Sequence, residues 1–139
     1  MKCIIIEDDE LAVVALKKCI ERHGGLETQA VFSNGYDAIR HINENLCELV
    51  FLDIEIEGIN GIELIKSLEK IPRVIIISSK SNYAAEAYNY DVIDYIIKPI
   101  SYDRFCHSIT KLNRIEENYS NLAADYFYIK NNGKLSQIF

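Results

Sequence analysis

No apolar stretch of the sequence is long enough for a membrane-spanning helix, and Met1-Lys2 runs straight into a strand-like segment without a signal-peptide pattern. A membrane-bound or secreted protein is therefore not expected. Basic charge is also short: 15 lysines and arginines stand against 21 acids, a net charge of -6 over 139 residues. Duplex affinity needs cationic neutralisation of phosphates, so broad nucleic-acid binding by this piece is not expected. The balance suits an acidic pocket for a divalent metal. Cys3, Cys19, Cys47 and Cys106 form no Cys-x-x-Cys pair and have no histidine at metal-ligand spacing. They read as reduced thiols used as small hydrophobes, which implies a cytoplasmic protein. Proline is confined to Pro72 and Pro99. No internal repeat is present, and the length suits one domain with its own core.

What the chain does contain is an alternation of short apolar runs and helical periods. Lys2–Glu7 reads as a buried strand, and Leu11, Val14, Ala15, Leu16 and Ile20 as the inward face of a helix ending near Gly24-Gly25. Thr28–Phe32 is a second strand. After the Ser33-Asn34-Gly35 turn a helix carries Tyr36, Ile39 and Ile42 inward to about Asn45. Glu48–Asp53 is the third strand, apolar on both faces and closed by a carboxylate. Ile62, Leu64, Ile65 and Leu68 mark a helix that stops at Pro72. Arg73–Ser78 is a fourth strand, Tyr83 to about Asn89 a short helix, and Val92–Ile97 a fifth strand ended by Lys98-Pro99. A last helix starts at Ser101 and carries Phe105, Ile109 and Leu112. Strand and helix alternate five times, which predicts an α/β fold: a doubly wound parallel sheet with helices on both faces.

The chemistry gathers at one edge of that sheet. Asp8, Asp9, Asp53, Ser78 and Lys98 fall at the C-terminal ends of strands one, three, four and five, and in open parallel sheets ligands bind at that edge. Three converging carboxylates repel one another and raise at least one pKa unless a cation joins them. Mg2+ suits one or two carboxylates, a backbone carbonyl and a phosphate oxygen. Phosphoryl transfer onto a carboxylate needs a nucleophile, a metal, further positive charge and a donor. Asp53 offers the nucleophile, Asp8 and Asp9 the metal seat, Lys98 the charge and Ser78 the hydroxyl. Each residue also has a bland reading. Asp8-Asp9-Glu10 can be a solvated helix N-cap cluster, Asp53 a loop residue, Ser78 a turn former and Lys98 an exposed charge.

Residues 1–118 resemble the receiver domain of a two-component response regulator. The matching segments are Ile-Ile-Ile-Glu-Asp-Asp-Glu from Ile4, Val-Phe-Leu-Asp-Ile-Glu-Ile-Glu-Gly-Ile-Asn-Gly from Val50, Ile-Ile-Ile-Ser-Ser from Ile75, and Asp-Tyr-Ile-Ile-Lys-Pro from Asp94. The resemblance implies a five-stranded flavodoxin-like fold with strand order 2-1-3-4-5. It makes Asp53 the phosphorylated aspartate, with Asp8, Asp9, Asp53 and the Glu55 carbonyl around Mg2+. Ser78 takes the switch hydroxyl position, Tyr95 the switch aromatic position and Lys98 the phosphate-pairing position, with a cis Lys98-Pro99 bond. Ile56-Glu57 replaces the family's common Met-Pro, and Ser78 its commoner Thr, and neither removes a required group.

Tyr83-Ala-Ala-Glu-Ala-Tyr88, followed by Asp94–Pro99, is similar to receivers of the LytTR class. Those carry a C-terminal β-rich DNA-binding domain. Residues 119–125 read as a linker, and residues 126–139, strand, turn and strand, as the truncated start of such a domain.

The function this implies is a switch rather than an enzyme. A sensor histidine kinase donates to Asp53, Ser78 is drawn inward, Tyr95 follows, and homodimerisation and a DNA-binding output respond. DNA would be bound by the full-length C-terminal domain rather than this fragment, and no membrane is involved. Tyr83, Tyr88, Tyr95 and Phe105 mark the candidate dimer face, since tyrosines are enriched at interfaces; ordinary helix packing explains them too. One alternative is an aspartate-nucleophile phosphatase, but such enzymes usually carry the motif on the first strand and need a cap. The other is a phosphorylation-independent binding module on the same fold, which would form no acyl phosphate.

Overall fold

The computed structural model describes residues 1–131. Apolar runs build five strands: β1 (Lys2–Ile6), β2 (Glu27–Phe32), β3 (Leu49–Leu52), β4 (Arg73–Ser78) and β5 (Asp94–Ile97). They form one parallel sheet in the order β2-β1-β3-β4-β5. Between them lie α1 (Glu10–His23), α2 (Gly35–Glu44), α3 (Gly61–Ser67) and α4 (Ala84–Tyr88), and α5 (Tyr102–Asn131) follows β5. Strand alternation divides the core. Ile4, Ile6, Val50, Leu52 and Ile76 pack with Ala38 and Ile42 of α2 and with Ile62 and Ile65 of α3. On the opposite face Phe51 stacks on Phe105, ring centroids 5.8 Å apart. The molecule divides into two compact units, Met1–Ser108 and Ile109 onward. The first holds the sheet and α1–α4; the described part of the second is helical.

Helix starts follow local capping chemistry. Asp9, Asn34 and Asn60 each accept a hydrogen bond from the backbone N–H two residues on, at 3.0, 2.8 and 2.8 Å, and open α1, α2 and α3. Gly24, at φ +76°, closes α1 by donating its N–H to the Ile20 carbonyl.

Three expectations are corrected. Leu11 and Val14 are exposed, and the buried stripe of α1 is Leu16, Cys19 and Ile20. At 3.6 residues per turn Val14 lies about 200° and Leu11 about 140° round the helix from Leu16. Tyr36 is exposed at the start of α2, beside Gly58, where an added Cβ would stand 3.0 Å from its ring. The linker at 119–125 and the strand from Tyr126 to Lys130 are helical, because α5 continues unbroken to Asn131. Between Pro99 and Gly133 the sequence has neither proline nor glycine, so nothing breaks the helix there. The expected turn after Asn131 and the second strand lie outside the described residues.

Candidate functional site at the sheet edge

Register brings the site together. Ile6 is paired with Leu52, so the next residues, Glu7 and Asp53, stand level at the ends of adjacent strands. The Asp53 N–H donates to the Ile6 carbonyl at 2.9 Å and the Glu7 N–H to the Phe32 carbonyl at 2.9 Å. Both side chains are buried. From the next loop, the Lys98 ammonium donates to Asp53 Oδ2 at 3.0 Å and makes a short ion pair with Glu7 Oε1. Its position is set by β5: the Lys98 N–H donates to the Ser78 carbonyl at 2.8 Å, and the Lys98-Pro99 peptide is cis. The other Asp53 oxygen, Oδ1, accepts the Glu55 N–H at 3.1 Å.

The electrostatics follow from burial. Removal from water pushes Glu7 up to about 7, and its hydrogen bond with Asp53 pushes the same way, against Lys98. Burial pulls the Lys98 ammonium down, but hydrogen bonds to Glu7 and Asp53 outweigh it and hold Lys98 above its ordinary value. Two buried carboxylates thus share one cation. Asp8 is exposed beside them, and one carboxylate oxygen each of Glu7, Asp8 and Asp53 lies within 4.8 Å of the others. Such an all-oxygen set, with one carboxyl held toward its neutral form by burial and by its carboxylate neighbour, fits a hard divalent cation.

Asp9 belongs elsewhere. Its Oδ1 caps α1, accepting from the Leu11 N–H at 3.0 Å, and the acidic group contains Glu7 in its place. The sequence signal for Glu7 was present: Cys3, Ile5 and Glu7 alternate on one strand face, and Asp9 stands immediately before a helical period, the usual N-cap place. A cavity of about 360 Å³ opens beside the carboxylates, lined by Glu7, Asp9, Asp53 and Lys98 and by apolar side chains of the strands, α1 and the loop after β5.

The two residues expected to switch lie on the next strands, Ser78 at the end of β4 and Tyr95 in β5. Ser78 is buried, and its Oγ accepts the Lys80 N–H at 3.1 Å. Tyr95 is buried and its hydroxyl donates to the Lys80 carbonyl in a short hydrogen bond. The Glu55 carboxylate pairs with Lys80 at 2.8 Å, both groups largely exposed. The expected dimer face is only partly surface. Tyr88 is exposed and Tyr83 half-buried, but Tyr95 is buried, and Phe105 is wholly buried against Phe51 and His23. Phe105 falls on the inward face of α5, where its ring supplies core area.

Comparison with known proteins agrees with this geometry. The response regulator receiver domain family matches residues 3–110. Protein MrkE of Klebsiella pneumoniae is 31% identical over 127 residues, covering 89% of this chain and 47% of that protein. Transcriptional regulatory protein YpdB of Escherichia coli is 31% identical over 115 residues, covering 81% and 47%. The chain therefore spans about half the length of these curated relatives. The crystal structure of the response regulatory domain of MrkE superposes with a TM-score of 0.77 at 31% identity, over 85% of this chain and 99% of that one. A DNA-binding response regulator of the LuxR family from Staphylococcus aureus gives 0.69 at 33% identity, over 81% and 98%. By sheet order, by the acidic edge with its lysine and by these similarities, the chain belongs to the response regulator receiver family, with its flavodoxin-like fold.

Proposed function

We propose that this chain is the phosphoacceptor switch of a two-component system, taking a phosphoryl group on Asp53 from the phosphohistidine of a sensor kinase. The observation that carries the reading is the buried Asp53 carboxylate, held from one side by Lys98 and from the other by the Glu55 N–H. An Asp53 oxygen attacks phosphorus, the bond from phosphorus to the histidine nitrogen breaks, and the imidazole leaves. Lys98, already bridging Asp53 and Glu7, pairs with the charge that arrives. Glu7, Asp8 and Asp53, with the Glu55 carbonyl, would hold Mg2+, which supplies neutralising charge at the phosphoryl oxygens when bound. Asp9 serves α1 and not the metal.

Ser78 then turns its hydroxyl from the Lys80 amide toward the phosphoryl oxygens, and Tyr95 holds the loop through the Lys80 carbonyl. The same loop carries Lys80 against Glu55, so its movement alters the rim of the site. The switch acts on homodimerisation and on a following DNA-binding domain of the LytTR class. The chain's half-length coverage of a relative named as a transcriptional regulatory protein supports such an output. No helix among the described residues is long and apolar enough to cross a membrane. The switch reading itself makes the protein cytoplasmic, with Asp53 as the acceptor and no separate substrate turned over.

Intact mass after incubation with acetyl phosphate and Mg2+ tests the reading. One added phosphoryl group is expected, absent in Asp53→Asn and in chelator. No gain in a folded, metal-binding protein would overturn it in favour of a phosphorylation-independent module.

A further inference from the structure

Where α1 meets α5, the two helices carry matched triplets that the phosphoacceptor site does not use. Cys19, Arg22 and His23 are spaced three and four residues from the first on α1, and Tyr102, Phe105 and Cys106 likewise on α5. That spacing puts each triplet on one helical face. Arg22 lies over the Tyr102 ring, its guanidinium carbon 3.9 Å from the centroid, and His23 meets Phe105 edge-on with centroids 5.9 Å apart. The members left over are the two cysteines. Tyr102 is hydrogen-bonded to Cys106, and the Cys106 sulfur adds to burial in pushing the Cys19 thiol up, so the two sulfurs are neighbours. Cys19 is buried, Cys106 half-buried, and both are free thiols.

The remaining cysteines are placed for packing. Cys3 is wholly buried in β1, its sulfur 3.9 Å from the Thr28 hydroxyl. Cys47 donates to the Leu49 carbonyl at 3.5 Å, and burial pushes it up to about 11, which starves it of the reactive thiolate. We infer that Cys19 and Cys106 form a reversible oxidation site, closing to a disulfide between α1 and α5 when the protein meets a peroxide. The Cys106 sulfur, the more exposed of the two, attacks a peroxide oxygen. The O–O bond breaks, water leaves with the thiol proton, and a sulfenic acid remains. The Cys19 sulfur then attacks the sulfenic sulfur, the S–S bond forms, the S–O bond breaks, and hydroxide departs with the Cys19 proton as a second water. The two thiols lose two electrons, and hydrogen peroxide gains them. A disulfide of this kind in a reducing compartment is transient and sensing rather than structural. It would tie α1 to the first turns of α5, just ahead of Ser108, where the first unit ends.

Treatment of the whole 139-residue chain with a slight excess of hydrogen peroxide, then intact mass and peptide mapping without reductant, tests it. The expected product is a monomer lighter by two hydrogens, its thiols down from four to two. The Cys19 and Cys106 peptides should be joined, and dithiothreitol should restore both thiols. A disulfide tolerates little beyond about 6.8 Å between Cα atoms, so the bond itself reports that these residues face each other. Cys19→Ser should stop at oxygen added to Cys106, and Cys106→Ser should keep its remaining thiols; if either variant fails to fold, the wild-type peptide map still decides. Asp53→Asn should cross-link as wild type does, so this reading and the phosphoacceptor reading can fail separately. Four thiols retained, oxygen added to Cys106 without a bond to Cys19, a bond between Cys3 and Cys47, or a bond between two chains would each overturn the proposal.

Discussion

With its carboxyl pushed up to about 7 by burial and by its hydrogen bond to Asp53, Glu7 keeps a proton that an unfolded chain gives up near 4.5. Below 4.5 both states hold the proton and Glu7 costs nothing; between 4.5 and 7 only the folded state does, so stability falls as pH rises, then levels off. Glu7→Gln, which keeps an oxygen for Lys98, is expected to remove that slope. In metal-free protein it should be the more stable form at alkaline pH by on the order of 1–3 kcal/mol, and near parity in acid. Urea denaturation across the pH range measures it; a parallel pair of curves would refute the assignment. Gly61 is the other sensitive residue. A Cβ there would stand 2.8 Å from Ile54 Cα and 2.9 Å from the Asp53 carbonyl, both backbone atoms that cannot swing aside. Gly61→Ala is expected to cost about 1–3 kcal/mol and to lower phosphoryl uptake, because the loop it displaces carries Asp53. Denaturation and intact mass on the same sample check both effects.

Among the elements, β5, α4 and α5 are tied by one buried carboxylate. Asp94 accepts from both Arg104 nitrogens at 2.6 and 3.0 Å, from Ser108 at 2.6 Å and from the Tyr88 hydroxyl at 3.3 Å. Arg104 also donates to the Tyr95 carbonyl at 3.1 Å. Tyr95 is thereby fixed at its backbone while its hydroxyl holds the Lys80 loop. Removing the guanidinium leaves Asp94 buried with neutral donors only, so Arg104→Ala should destabilise the protein by about 2–4 kcal/mol. Arg104→Lys, which cannot form the bidentate pair, should recover only part of that. Chemical denaturation of the two variants distinguishes this tie from a solvated surface ion pair, which would cost under about 1 kcal/mol.

For the molecule as a whole, the acidic edge makes stability depend on a cation. Mg2+ binding to the folded state alone should stabilise by mass action, by about 2.7 kcal/mol at a hundredfold excess over its dissociation constant. The melting temperature should therefore climb with Mg2+ and fall back on adding a chelator. Glu7→Gln should blunt the climb, and Asp9→Asn, which changes only the cap of α1, should leave it nearly intact. Equal loss in both variants would restore Asp9 to the metal seat.

Periodicity and the placement of polar residues at strand ends were enough to determine the five βα units, the parallel sheet and the convergence of Asp53, Ser78 and Lys98 on one edge. These features are local: unbroken apolar runs such as Ile4–Ile6 and Leu49–Leu52, and a carboxylate, hydroxyl or lysine where such a run stops, are written directly in the chain. What only the tertiary structure decided is which neighbours share that edge. Glu7 joins Asp53 because β1 and β3 pair in a register that sets Ile6 against Leu52, a fact of inter-strand hydrogen bonding. Asp9 leaves the group because α1 begins there and takes its carboxylate as a cap. Phe105 lies in the core and Tyr88 at the surface through the rotation of two helices against the sheet, which composition does not encode. The same holds for the end of α5: Tyr126–Ile129 has strand-like composition, but the uninterrupted helix preceding it carries on through those residues.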